Sequence, residues 1–197
     1  MSEKDRTIYQ SRSTHSKFRT RDTEDGKKYI SGYFAVFHSE YEMWPGAVEV
    51  IAESAFDEAL SDDIRCLIDH ETRLVLGRNK SGTLTLKTDS RGLWGEVEIN
   101  QNDQDAVNLY ERVKRGDVDQ CSFGFEILDE EFEDLGDSVK WTIRKVKLYE
   151  VSVVTFPAYE DTSVSARKRQ FGEIKKRKFE AWKEKTRKTL KGEAEWH

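Results

Sequence analysis

Cysteine, proline and methionine occur only twice each in this 197-residue sequence, and histidine four times. Two cysteines and four scattered histidines do not suggest a structural zinc site, whose ligands come in closely spaced pairs. Cys66 and Cys121 each fall in a strand-like run, so both are expected as buried free thiols and not as a disulfide. Long hydrophobic runs are also missing, and nothing approaches the ~20 apolar residues of a membrane span. The N-terminal stretch MSEKDRTIYQSRSTHSKFRTRD has no apolar segment either, which speaks against an export signal. No glycine-rich phosphate loop is present, because GLWGE and GRNKSG have neither Walker nor dinucleotide spacing. These absences point to a soluble, intracellular protein that needs no metal or cofactor.

Charge is plentiful and uneven. Charged residues make up 36% of the chain, against roughly 25% in an average globular protein. From Ala166 to the end there are 12 Lys or Arg against five Asp or Glu, a net of +7. The whole chain carries −5, which leaves −12 on residues 1–165. An acidic body with a basic tail is implied. The basic residues of the tail are not interleaved with aromatic strips on strands, so specific nucleic-acid binding is not expected.

Residues 1–27 are polar and without periodicity, which reads as a flexible or loosely docked arm. From Lys28 the alternation of Ile30, Gly32, Phe34 and Val36 marks a central strand, broken at MWPG (43–46) and followed by the extended AVEVI (47–51). Ser54, with Asp57 and Glu58 after it, suggests the N-cap of a short helix ending near Leu60. IRCLID (64–69), LVLGR (74–78), GTLTLKT (82–88) and GLWGEVEIN (92–100) read as strands joined by polar turns. Apolar residues at helical spacing from Asp103 to Arg115, with Asn102 as cap and Gly116 as stop, predict a helix. Two long strands follow, about 119–132 and 139–156, joined by LGDS, with a slip near Lys145 and an end at Pro157. The acidic run DEEFED (129–134) reads as a solvated hairpin end. Many short strands, two helices and hairpin turns imply an α+β domain built on a small, mainly antiparallel β-barrel, spanning 28–165. A charged helix over 166–197 completes the chain, either as a solvated helix or as a docking helix for an acidic partner surface.

Nucleophilic catalysis is the chemistry that remains. Ser122 interrupts an otherwise apolar strand, with the small Gly124 two residues on, on the same face. His70 ends a hydrophobic strand at a polar turn, where a ring would meet both solvent and substrate; His38 is its rival. A serine nucleophile needs a base, and the base needs an acceptor on its other ring nitrogen. Asp69 directs its side chain away from that of His70 if the strand persists. Glu150, amid the apolar neighbours of KLYEVSVV, is a better acceptor because an unpaired buried carboxylate is costly. Glu126, on the face of Ser122, is the alternative. On the residues alone, a structural serine and an ordinary rim histidine compete with a Ser/His/Glu set.

Four ordered segments tip that balance: GYFAVF (32–37), IRCLIDHETRLVLGR (64–78), VDQCSFGFEI (118–127) and LYEVSVVTFPAY (148–159). Together they resemble the prohead, or procapsid maturation, proteases of tailed bacteriophages, distant relatives of the herpesvirus assemblin proteases. The resemblance implies a herpesvirus-protease-like barrel and peptide-bond hydrolysis through an acyl-enzyme. It places the nucleophile at Ser122, the base at His70 and the third member at Glu150. Its implied substrates are the scaffold or the scaffold-like segment of the major capsid protein, inside an assembling procapsid in the host cytoplasm. Self-association, self-cleavage and loss of the tail on maturation belong to the same expectation. A catalytically silent capsid-assembly protein on the same barrel is the alternative.

Overall fold

The computed structural model describes residues 9–15, 17–136, 138–156 and 161–194. In chain order the strands are β1 (Gln10–His15), β2 (Arg19–Asp22), β3 (Lys28–Val36), β4 (Tyr41–Trp44), β5 (Ala47–Ile51), β6 (Arg65–Ile68), β7 (Glu71–Arg78), β8 (Leu84–Thr88) and β9 (Gly92–Ile99). Helix α1 (Gln104–Arg115), strands β10 (Gln120–Asp134) and β11 (Val139–Val154), and helix α2 (Asp161–Ala194) follow. The chain divides into two compact units, with α2 in one and the strands and α1 in the other.

The strands form two sheets. One runs β1-β10-β11-β5-β4, with β6 also on β11 and β7 on β6; the other runs β2-β3-β9-β8. No ladder joins the two among the described residues, so the mixed α+β class holds but the expected closed barrel does not form. Nor is the first sheet wholly antiparallel. The β10–β11 hairpin uses one edge of β11; its other edge takes β5 and then β6, both parallel. Each also has an antiparallel partner of its own, β4 for β5 and β7 for β6.

Between those two pairings, β11 has a gap in its ladder, and backbone groups there need other partners. The segment joining β5 to β6 supplies them. Ala52 N–H donates to Ile143 O (2.9 Å), Ser54 Oγ donates to Arg144 O (3.1 Å), and Asp62 Oδ2 accepts from Leu148 N–H (3.3 Å). This is why the helix expected after Ser54 is replaced by two short 3₁₀ turns, Glu53–Phe56 and Ala59–Ser61. Ser54 serves the sheet and caps nothing.

Other sequence expectations meet a similar local competition. Asp103, not Asn102, caps α1, accepting from Asp105 N–H (3.0 Å) and Ala106 N–H (3.4 Å). Gly116 ends the helix at φ 88°, a left-handed conformation in which a β-carbon is unfavourable. The stretch read as a loose arm, 1–27, contains β1 and β2. Helix α2 begins at Asp161, five residues before the boundary expected at 166. Aromatic side chains are among the largest in the core: Phe123 stacks on Phe125 at 4.8 Å and meets the edge of Phe56 at 5.5 Å. Each such ring contributes about 1.5–3 kcal/mol by leaving water. The aromatic layer fixes β10 in place, and β10 carries Ser122.

Asp103→Ala removes the α1 cap while leaving its apolar face intact. The expected loss is about 1 kcal/mol, within the 0.5–2 kcal/mol range of N-cap truncations, to be read from urea unfolding.

Candidate active site

Strand β6 stops at Ile68, and Asp69 and His70 form a two-residue turn into β7, with Ile68 paired to Glu71. Both turn residues have positive φ, 48° and 61°, as a tight hairpin of this length requires. Neither is glycine, so the turn is strained and has to be held by side-chain contacts. Asp69 provides one set: Oδ1 accepts from Thr155 N–H (2.6 Å) and Oδ2 from Thr155 Oγ (3.2 Å). His70 provides the other, through Nδ1 to Glu150 Oε1 at 2.8 Å. The turn thus swings Asp69 to the end of β11 and His70 onto its side.

Glu150 is buried, only 5% exposed, and every donor around it points at its carboxylate. Tyr9 Oη donates to Oε1 (2.6 Å) and Ser152 Oγ donates to Oε2 (2.5 Å), alongside the His70 bond. A carboxylate in this setting only accepts, so Nδ1 carries the histidine proton. Nε2 is left as the basic nitrogen. It is buried and has no hydrogen-bond partner among the described residues. Burial and the neighbouring carboxylate push the Tyr9 phenol far above its ordinary pKa, so Tyr9 remains a donor. The same two causes raise the Cys66 thiol, which is therefore no nucleophile.

Ser122 and Glu150 lie on one face through the β10–β11 register, in which Ser122 opposes Ser152 and Gly124 opposes Glu150. A register shift between Gly124 and Phe125 leaves Tyr149 as the extra residue of β11 and bends the strand beside the site. Ser122 is fully buried. Its Oγ donates to the main-chain oxygen of Arg12 in β1 (3.0 Å), and no hydrogen bond joins it to His70 among the described residues. Glu150 and His70 are thus brought into contact, while Ser122 stands one rung away and is engaged elsewhere. The rival residues are occupied at a distance. Exposed His38 faces Glu53 (3.3 Å), and Glu126 accepts from Tyr149 Oη (2.8 Å).

Two partners of Glu150 went unread in the sequence. Ser152 follows Glu150 at the two-residue spacing of one strand face, a signal that could have found it. Tyr9 lies 141 residues away in a polar segment, and no local pattern points to it. Gly124, without a side chain, leaves room on the face of Ser122. That room is taken by Tyr9 Oη and Glu150 Oε1, the nearest atoms to where a β-carbon would sit. Beside the pair opens a cleft of about 510 Å³, lined by Tyr9, Asp63, Arg65, Leu67, His70, Thr72, Tyr149 and Glu150. Asp63 in this lining is held by an ion-pair fork: Arg78 Nε and Nη2 reach its Oδ1 and Oδ2, both at 2.6 Å.

A family model described as caudovirus prohead serine protease matches residues 15–177. The chain belongs to this family. Among curated prohead proteases, that of Escherichia phage T5 is 31% identical over 106 residues, covering 54% of this chain and 47% of the T5 protein. That of Enterobacteria phage HK97 is 29% identical over 169 residues, 81% of this chain and 69% of the HK97 protein. The chain thus spans about half of the T5 relative's length and two thirds of the HK97 relative's. The solved structure of the bacteriophage T4 capsid assembly protease aligns with 74% of this chain and 96% of its own, at a TM-score of 0.48 and 10% identity.

For this prohead serine protease family member, two outcomes test the site. Gly124→Ala forces Tyr9 or Glu150 aside, and the expected cost is about 1–3 kcal/mol of stability. NMR should show the His70 Nδ1–H resonance shifted or lost; an unchanged resonance and melting point would contradict the packing. The Arg78 fork, with Arg65 nearby, lowers the Asp63 pKa to about 2. A depressed carboxylate pKa gives stability that is complete above the unfolded value of roughly 3.9 and lost as pH falls toward 2. Asp63→Asn should therefore lower the urea midpoint at pH 6 and leave it close to wild type at pH 2.

Proposed function

We propose that the chain is a serine endopeptidase of prohead maturation, with Ser122 as nucleophile, His70 as general base and Glu150 as the group that orients and stabilises the imidazolium. The observation that carries this reading is the 2.8 Å bond from His70 Nδ1 to Glu150, with Nε2 left without a hydrogen-bond partner among the described residues in a histidine that lines the cleft. Ser122 Oγ attacks the scissile carbonyl carbon and passes its proton to Nε2. His70 then returns that proton to the leaving amine, which departs and leaves an ester on Ser122. A water molecule repeats the two proton transfers in reverse roles and releases the acid. Glu150 keeps Nδ1 protonated throughout, and Tyr9 and Ser152 keep Glu150 from turning away.

For Ser122 to meet His70, its hydroxyl has to leave the Arg12 oxygen. The substrates in this reading are the scaffold or the scaffold-like segment of the major capsid protein, and the protease itself. They are cut inside the assembling procapsid in the host cytoplasm, where the protease self-associates. Family membership and the names of the T5 and HK97 relatives support this reading. Kinship with the herpesvirus assemblins is part of it, resting on the four sequence segments. The basic tail from 166 onward is then a targeting segment shed on maturation.

Co-expression with the cognate major capsid protein provides the test. The wild-type chain should yield processed capsid protein, and Ser122→Ala none. Glu150→Gln should slow processing on the order of 10⁴-fold, as loss of the orienting carboxylate does in Ser-His-Asp enzymes, with the fold preserved by circular dichroism. Equal processing by Ser122→Ala would exclude Ser122 as nucleophile. No processing by the wild type would favour a silent assembly protein.

A further inference from the structure

An endopeptidase must present a main-chain carbonyl of an extended polypeptide to its nucleophile. Beside a strand, such a polypeptide binds by adding one more strand to the sheet. At Ser122 one edge of β10 is taken by β11, so only the other edge can receive it. That edge is occupied by β1, an edge strand of this same chain, antiparallel to β10 with Ser13 opposite Ser122. β1 and Tyr9 just before it both reach the candidate catalytic residues. The Arg12 carbonyl lies 3.0 Å from Ser122 Oγ, and Tyr9 bonds the oxygen of Glu150 that also holds His70.

The side chain of Arg12 enters a built pocket. Nε donates to Glu49 Oε1 (2.5 Å), Nη2 donates to Gln10 Oε1 (3.0 Å), and the guanidinium lies over the rings of Tyr41 (5.7 Å) and Phe125 (5.5 Å). Arg12 and Glu49 are only 5% and 2% exposed. A buried carboxylate, in a pocket whose aromatic rings meet the cation, selects a planar, permanently charged guanidinium over a lysine ammonium. A cavity of about 80 Å³ remains beside the pair, so β1 does not fill its groove completely.

We propose that β1 is an internal occupant of the peptide-binding groove. The groove takes an extended antiparallel segment whose arginine enters the Glu49 pocket while that residue's carbonyl faces Ser122. This rests on the reading of Ser122 as the nucleophile. In the structure the Arg12 oxygen accepts the Ser122 proton and His70 makes no bond to Ser122, so β1 is held and not cut. Substrate enters only as β1 leaves, and the two compete for one edge of β10.

The probes are the fluorescein-labelled peptide YQSRSTH, which copies residues 9–15, and the same peptide with alanine for arginine. Binding is measured by anisotropy to the full chain in a Ser122→Ala background. Arg12→Ala loosens the internal strand, and Arg12→Lys serves where the alanine variant does not fold. Either variant should bind the arginine peptide at least ten-fold tighter than the chain that keeps Arg12. The alanine peptide should bind at least ten-fold more weakly than the arginine peptide, a difference that Glu49→Gln erases. Equal affinity for both peptides, or no binding by the loosened variants, overturns the proposal. A fluorophosphonate should label Ser122 at least ten-fold faster in the Arg12 variants than in the wild type. Peptide binding as expected with no labelling of Ser122 in any variant would overturn the catalytic reading and leave the groove standing.

Discussion

The site depends on one buried carboxylate. Glu150 sits in β11 among apolar neighbours, where a charge without partners is strongly unfavourable. Three donors from three separate parts of the chain converge on it: Tyr9 before β1, His70 in the β6–β7 turn, and Ser152 two residues on. Each is needed twice, once to offset the desolvation of Glu150 and once to set its own position. The histidine tautomer follows from this arrangement and requires no other device. The fold's irregular features fit the same constraint. They include the glycine at 124, the register shift beside it, and two consecutive non-glycine residues at positive φ.

Much of this was legible because it is local. An apolar strand ending in a polar turn delivers His70, and a charged residue within KLYEVSVV implies a buried partner for Glu150. Ser122 with Gly124 marks a face that something approaches closely. Cys66 and Cys121 are buried free thiols, as their strand-like surroundings suggested. The acceptor could be chosen over Asp69, though the sequence argument assumed a continuing strand. In fact the strand ends at Ile68, and Asp69 is drawn to Thr155.

What could not be read is non-local. The polar run QSRSTH looks like part of a loose arm, since a strand polar on both faces has no reason to order alone. It is ordered by pairing with β10 and by one buried ion pair, Arg12 with Glu49, whose members stand 37 residues apart. The barrel expectation failed for a related reason. Strand count and turn chemistry bound the number of ladders, but not whether edges meet. The parallel pairing of β5 and β6 on β11 depends on how the intervening segment satisfies β11's exposed backbone, which no periodicity encodes.

The arm therefore changes the meaning of the site. Removing Arg12 from its pocket would leave Glu49 buried without its cation, which is why such pairs lock once formed. A strand locked by charge in the interior but lying at the sheet's edge can be stable and still exchangeable. β10's ladder and the Glu49 pocket hold it, and a competing segment with the same arginine recreates both. The hydroxyl that donates to the Arg12 oxygen cannot at the same time give its proton to His70 Nε2. On the proposed reading, occupation of the edge and catalysis are mutually exclusive at a single hydrogen bond. Activity is then set by which polypeptide, internal or external, holds that edge.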